Sequence, residues 1–178
     1  MTTTNPVLPT ILEKILSEDN EPDAVFTALM PALCEVLQCD RCFLYLRNPQ
    51  TCVGKITHCW VEDSKWRDLT GSDWVEETEL VENDPLMAIA FRTPSAVFVE
   101  DILTAGSETL NLAFEQEYFG HRALIHAPVY QDGQLFGIVE PCIFETSRLW
   151  TEQDRFIIAT VQMRIGPLAA DYVHAQKS

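Results

Sequence analysis

The sequence predicts an α+β domain built around one antiparallel sheet of five or six strands. Three observations lead to this fold class. Apolar residues recur at helical spacing near both ends of the chain, and short strand-like segments lie between them. The clearest pair of segments is separated by Asp132-Gly133, and Asp-Gly is a strong signal for a β-hairpin turn. We expect the terminal helices to share one face of the sheet.

Helices are predicted at both ends. Residues 11–16 carry the first apolar face, and a second helix begins at Pro22, because proline suits a first helical turn. Pro31 predicts a kink or a break within that helix. The last helix opens at Thr151, which can cap it with an acid three positions later, and Gly166-Pro167 predicts a kink.

The middle of the chain is predicted to form the sheet and its connections. Short helices are expected at residues 84–91 and 107–119, and the second of these should end at Gly120. The acidic segment 62–83 is irregular, but its two tryptophans indicate that it packs on the domain. Five segments have the apolar and aromatic character of strands: residues 41–47, 55–61, 95–99, 123–130 and 135–144.

Length and charge limit the organisation and the partners. The 178 residues suit one domain, which we place at residues 9–175, between a flexible arm at 1–8 and a short tail at 176–178. The net charge of −15 disfavours a broad nucleic-acid footprint and binding to anionic membranes. The chain shows neither a secretory signal nor an apolar run of bilayer length, so we expect a cytoplasmic protein.

Three cysteines lie close together in the spacing C-x4-C-x2-C, at Cys34, Cys39 and Cys42. This is the spacing of a plant-type iron–sulfur loop, which also needs a fourth cysteine. However, Cys34 falls in a helix and Cys42 in a strand, and Cys34 and Cys39 should point about 140° apart. We therefore interpret these thiols as buried packing residues, and expect Cys52 to be the exposed thiol.

Several segments together resemble a GAF domain, a small sensor module, across residues 9–175. They are Cys39-Asp-Arg-Cys-Phe-Leu-Tyr-Leu46, Arg122-Ala-Leu-Ile-His-Ala-Pro-Val129, Asp132-Gly133, Leu135-Phe-Gly-Ile-Val139 and Arg148-Leu-Trp-Thr-Glu-Gln-Asp154. The resemblance implies a PAS/profilin-related sheet with loops and short helices over a pocket on the face away from the terminal helices. The sequence is most similar in character to cyanobacterial and phytochrome GAF domains.

Those families attach a bilin through a cysteine on the helix before Arg122, which the resemblance would place near Asn111. This chain has no cysteine between Val61 and Pro141, so the usual anchor is missing. A bilin bound without a covalent bond, or attached through Cys59 or Cys142, remains an alternative.

Five residues could line a ligand pocket in such a fold. For each, a structural role is the simpler interpretation; a single histidine on a strand usually has its partners within the core. We also expect His121, which follows the helix-ending Gly120, to lie at the surface. The five candidates are Trp60, Trp74, Asp101, Tyr118 and His126.

The sequence does not support two functions found within this family, the reduction of free methionine sulfoxide and the binding of cyclic nucleotides. The cysteine positions used by the group that reduces free methionine sulfoxide are not occupied here, and a thiol nucleophile needs a resolving thiol. The signature of cyclic-nucleotide-binding GAF domains is also missing. We therefore predict no enzyme activity and no catalytic or metal site.

The leading hypothesis is a non-enzymatic sensory or regulatory domain that binds a small molecule or a signalling protein. Signals would pass through the terminal helices, which we expect to form a homodimer. A bilin photoreceptor, a thiol redox or metal sensor, and a ligand-free interaction module are the alternatives; in the last, side chains such as Trp74, Phe91 and Phe114 would fill the pocket. The chain could be a stand-alone protein or part of a larger one.

Overall fold

The computed structural model describes residues 5–176, in which one sheet has helices packed on both sides. The first two helices and the last one cover one face. The helices are α1 (Thr10–Ser17), α2 (Pro22–Leu37), α3 (Thr78–Asn83), α4 (Pro85–Ala90), α5 (Leu112–Tyr118) and α6 (Glu152–Ala175). The strands are β1 (Arg41–Asn48), β2 (Val53–Val61), β3 (Val75–Glu76), β4 (Val97–Val99), β5 (Ala123–Gln131) and β6 (Gln134–Ile143).

The sheet has the order β3-β2-β1-β6-β5-β4, and every neighbouring pair is antiparallel. This confirms the predicted α+β class. The hairpin between β5 and β6 closes with Gln131 opposite Gln134, so Asp132 and Gly133 form the predicted turn. The segment 62–83 is more ordered than expected, because it contains β3 and α3.

The main core lies between the sheet and α1, α2 and α6. Neither proline ends its helix: α2 continues through Pro31, and α6 continues through Pro167. Gly166 has a separate role, because a Cβ atom there would lie 2.5 Å from the carbonyl oxygen of Tyr130. The glycine therefore lets α6 approach β5 closely.

Side-chain caps determine where two helices begin. Thr151 and Asp154 form the expected capping box at the start of α6. In contrast, the helix predicted at 107–119 is too long. Asn111 accepts a hydrogen bond from the backbone N–H of Phe114, so α5 begins only after Asn111. Gly120, at a φ of 70°, follows its end.

The predicted terminal arm and tail lie partly outside the described residues, since 1–4 and 177–178 are not described. Within the arm, the Val7 carbonyl accepts a hydrogen bond from Gln153 and Leu8 packs on the core. The domain boundaries stay a prediction. None of the helices in residues 5–176 has the length and apolar character that a membrane span requires.

Candidate functional site

A cavity of about 390 Å³ lies on the sheet face opposite the terminal helices. Strands β1, β2, β5 and β6 form its floor, and the loop before β3 together with α3, α4 and α5 covers it. The side chains and glycines around it are Phe43, Tyr45, Gly54, Lys55, Ile56, Leu69, Gly71, Ser72, Asp73, Val75, Leu80, Asp84, Met87, Glu115, Phe119, His126, Ile138 and Glu140.

Strand alternation decides which residues reach the cavity. In β6, Ile138 and Glu140 line it, whereas Val139 between them belongs to the core under the helices. In β1, Phe43 lines it while Leu44 faces the helices. Glu140, the only acid in the largely apolar β6, therefore lines the cavity.

Buried acids and histidines form a chain beside the cavity. His126 Nδ1 hydrogen-bonds to Glu140 Oε2 at 2.7 Å, and Glu140 Oε1 lies 3.7 Å from His121 Nδ1. His121 Nε2 in turn hydrogen-bonds to Glu115 Oε2 at 2.5 Å. Asp84 lines the same cavity, where its carboxylate caps α4 by accepting the N–H of Leu86. We call Asp84, Glu115, His121, His126 and Glu140 the acidic cluster.

Burial changes the protonation of this cluster. Loss of solvent raises the pKa of Asp84 to about 7, and burial together with the nearby Glu140 charge raises that of Glu115 to about 8. Burial lowers the pKa of His121 to about 4. Burial also acts to lower the pKa of His126, but its hydrogen bond to Glu140 and the surrounding carboxylates outweigh this and raise it.

Polar atoms of the cluster lack hydrogen-bond partners. They are His126 Nε2, Glu140 Oε1 and His121 Nδ1. His126 and Glu140 are 4% and 3% exposed, so bulk water does not compensate them. An unpaired buried polar atom costs ~1–3 kcal/mol, and native proteins contain few of them.

A second buried carboxylate beside the cavity is fully paired. Arg47 donates from Nε and Nη2 to the carboxylate of Glu77 at 2.8 Å, and Tyr45 donates its hydroxyl at 2.7 Å. Arg47 also donates to the Leu135 carbonyl and lies over the Phe91 ring. This arrangement connects the sheet to the residue that precedes α3.

Arg41 fixes the cover of the cavity to the sheet. Its side chain is fully buried and donates to the carbonyl oxygens of Arg67 and Phe119 at 3.1 and 2.9 Å. The Phe119 ring, at the end of α5, stacks between Phe43 and His121, with centroid distances of 5.8 and 5.2 Å. Arg41 thus connects the aromatic wall of the cavity, at Phe119, to strand β1.

Of the five predicted ligand residues, the structure brings only His126 to the cavity. Trp60 is 44% exposed beside α1 and α2, and Tyr118 is 51% exposed in a neighbouring groove. Trp74 packs at the edge of the core, and Asp101 accepts two hydrogen bonds from Arg122. A binding role for these four stays a prediction.

Sequence reasoning missed Asp84, Glu115 and Glu140, and the surface position expected for His121 is wrong. His121 is 2% exposed, because the turn at Gly120 directs the chain back under α5. One signal was available: Glu140 is the only charged residue in the apolar segment 135–144. A charged residue inside a buried strand requires partners, and these usually mark a site.

The three cysteines of the C-x4-C-x2-C motif are buried, as expected, but two of them are in contact. Gln38 adopts a left-handed conformation at the end of α2 and turns the chain back. The Sγ atoms of Cys34 and Cys39 are therefore 3.4 Å apart, against the expectation that they diverge. Burial raises the pKa of Cys42. The hydrogen bond that the Cys39 thiol donates to Cys34 Sγ, together with burial, raises the pKa of Cys39. Cys52 is exposed, as predicted.

Two further findings concern metals and atypical anchors. Within residues 5–176, no group of three or more His, Cys, Asp or Glu is placed to hold a metal ion. Burial raises the pKa of Cys59 to about 11 and also raises that of Cys142. Both thiols are therefore poor nucleophiles at neutral pH.

Comparison with known proteins agrees with this architecture. The family model for the GAF domain matches residues 21–166. No curated protein sequence matches the chain.

Solved structures with the same fold include GAF domains of cyanobacterial photoreceptors and of a phosphotransferase. The phycoerythrobilin-bound GAF domain of a cyanobacterial phytochrome is 13% identical, with a TM-score of 0.71 over 94% of this chain and 97% of that one. The GAF domain of the cyanobacteriochrome TePixJ is 22% identical, with a TM-score of 0.66 over 90% and 96%. The GAF domain of a phosphoenolpyruvate-protein phosphotransferase from Coxiella burnetii is 17% identical, with a TM-score of 0.66 over 93% and 92%.

Proposed function

The chain belongs to the GAF domain family, and from this premise we propose that it is a sensory or regulatory domain that binds a small molecule without catalysing a reaction. The observation that carries the proposal is the cavity with partnerless buried polar atoms at its floor. A ligand would supply those partners. The volume of about 390 Å³ lies within the range of about 300–1,000 Å³ for small-molecule sites.

The opposite face of the sheet offers a route for the signal. There α1 and α6 are connected by an ion pair between Glu13 and Arg164, and α6 packs on β5, which contributes His126 to the cavity. In the proposed homodimer, α1, α2 and α6 transmit the state of the cavity to the second copy or to a signalling protein. The exposed Met163 and Ile11 side chains on these helices support a contact there.

Bilin binding is supported less well by the residues present, although similar structures carry bilins. Among the described residues, no cysteine lines the cavity, and its basic residues are Lys55 and the histidine His126. A bilin carries two propionates, and the buried acids Asp84, Glu115 and Glu140 offer these groups no positive charge. The same residues disfavour any multiply charged anion.

Native mass spectrometry of the protein purified from its own host tests the proposed function. We expect an added mass on the wild type that is lost when Ile138→Phe fills the cavity floor. Leu149→Phe is the matched control, because it adds bulk at an exposed position outside the cavity lining. Wild-type protein that is empty throughout, or a bound mass unaffected by Ile138→Phe, would refute the proposal.

A further inference from the structure

The acidic cluster is short of positive charge. Among residues 5–176, Asp84, Glu115 and Glu140 form no ion pair with lysine or arginine; histidines are the only ionisable partners at hydrogen-bond distance. In the same domain, the buried Glu77 has three hydrogen bonds from Arg47. Buried carboxylates are normally paired with a cation, as Glu77 is paired with Arg47.

The unpaired atoms specify what a ligand must bring. His126 uses Nδ1 for its bond to Glu140, so in the neutral ring Nε2 is an acceptor. Glu140 Oε1 is also an acceptor without a donor. Once Asp84 and Glu115 are ionised, their carboxylates accept hydrogen bonds as well, so the ionised cavity floor requires N–H or O–H donors rather than acceptors.

The walls favour an apolar or aromatic body. Phe43, Phe119, Met87 and Ile138 surround the space next to the cluster. Arg41 contacts both of the stacked rings' residues: it donates a hydrogen bond to the Phe119 carbonyl, and its guanidinium lies 5.9 Å from the centre of the Phe43 ring. Aromatic faces attract organic cations within about 6 Å of the ring centre.

From these contacts we infer that the cavity accepts a small organic cation with an apolar or aromatic body and at least two N–H donors, of the amidinium type. One donor bonds to His126 Nε2 and the other to a carboxylate of the acidic cluster. This inference rests on the proposed function, whose ligand site it uses. Charge-assisted bonds to carboxylates are about twice as strong as neutral ones, so the charge of the ligand contributes strongly to affinity.

Binding should release protons. The cation needs a neutral His126 and ionised carboxylates, whereas in the free protein the pKa values of Asp84 and Glu115 are raised to about 7 and about 8. Affinity therefore rises with pH between about 6 and 8.5. The titratable and charged groups that face the site are Arg41 and Tyr45 on β1, Lys55 on β2, Asp73 before β3, Asp84 before α4, Glu115 on α5, His121 before β5, His126 on β5 and Glu140 on β6.

Three probes of the same shape test the charge requirement: benzamidine, benzamide and benzoate. Isothermal titration calorimetry and ligand-observed NMR should show benzamidine binding about tenfold or more tightly than benzamide at pH 8. Benzoate should bind most weakly. Benzamidine affinity should increase from pH 6 to pH 8.5, and that of benzamide should change much less, because only the cation needs ionised carboxylates.

Asp84→Asn provides the matched variant, since asparagine caps a helix as well as aspartate and removes only the charge. It should weaken benzamidine binding and leave benzamide unchanged. Glu82→Gln, an exposed charge change two positions away, should affect neither. A second readout is thermal stabilisation by benzamidine, which should fall in Asp84→Asn but not in Glu82→Gln.

Three outcomes overturn the inference: benzamidine that fails to bind, equal binding of all three probes, or tighter binding at low pH. These outcomes differ from failure of the proposed function. If benzamide or benzoate binds as tightly as benzamidine and Ile138→Phe abolishes binding, the cavity is a ligand site for another class of molecule. An empty native mass spectrum together with no probe binding would refute both.

Discussion

Glu77, which precedes α3, and Glu140, which lies in β6, are on the same side of the sheet. They are almost equally buried, at 4% and 3% exposure, but their surroundings differ. Arg47 and Tyr45 give Glu77 four hydrogen bonds. Glu140 has one bond from His126 and shares its space with two further acids. The chain itself neutralises the first site, whereas the second has no lysine or arginine partner among the described residues.

This difference separates a complete structural ion pair from the cluster at which we propose binding. A buried ion pair that is complete within the chain adds rigidity and needs nothing more. A cluster with raised carboxyl pKa values and partnerless atoms holds unfavourable free energy that a suitable ligand can relieve. The cavity therefore has one fixed wall, at Tyr45, whose hydroxyl bonds to the paired Glu77, and one wall, at the acidic cluster, whose charge can change.

The largest expected effect comes from breaking the complete pair. Arg47→Met leaves Glu77 buried without its main partner, and this should lower the free energy of unfolding by ~3–5 kcal/mol. Urea denaturation at pH 7 measures it. Arg164→Met removes a solvent-exposed ion pair with Glu13 and serves as the control, with a loss below about 1 kcal/mol. Equal losses in the two variants would contradict a structural role for Arg47.

The incomplete site should make stability depend on pH. The native pKa values of Asp84 and Glu115 are raised to about 7 and about 8, above those of an unfolded chain. The native state therefore holds more protons, and stability falls as pH rises through these values. His126, whose pKa is also raised, acts in the same direction, whereas His121, lowered to about 4, acts oppositely only below about pH 6.5.

Between about pH 6.5 and 8 we expect a loss of ~1–3 kcal/mol, since each bound proton contributes about 1.4 kcal/mol per pH unit. Urea denaturation across this range measures it. The double variant Asp84→Asn/Glu115→Gln should abolish most of the loss, and Glu82→Gln should not. A wild-type free energy of unfolding that rises between about pH 6.5 and 8 would contradict the raised pKa values of Asp84 and Glu115.

The same comparison shows which parts of the structure can be predicted from the sequence. The β5–β6 hairpin was predictable because its signals are local: two apolar segments and an Asp132-Gly133 turn. The bond between Arg47 and Glu77 joins residues 30 positions apart, across a segment predicted to be irregular. No spacing rule indicates such a pair.

The candidate site was harder still, because its residues come from separate elements. Asp84 precedes α4, Glu115 lies on α5 and Glu140 on β6, and only the folded sheet brings them together. His126 was named from its strand, but its partnerless Nε2 depends on how Glu140 is oriented. Likewise, the left-handed Gln38 that joins Cys34 and Cys39 is invisible to helical spacing.

The smallest effect tests how complete the Glu77 site is. Tyr45→Phe removes one of four hydrogen bonds to this carboxylate while Arg47 keeps the other three, so the loss should be ~1 kcal/mol. Tyr118→Phe is the control, because that ring is 51% exposed, and it should cost almost nothing. Both are measured by urea denaturation. A loss in Tyr45→Phe as large as that in Arg47→Met would mean that the tyrosine, which also lines the cavity, is essential to the fixed wall. The two sites would then share a boundary at Tyr45 rather than act separately.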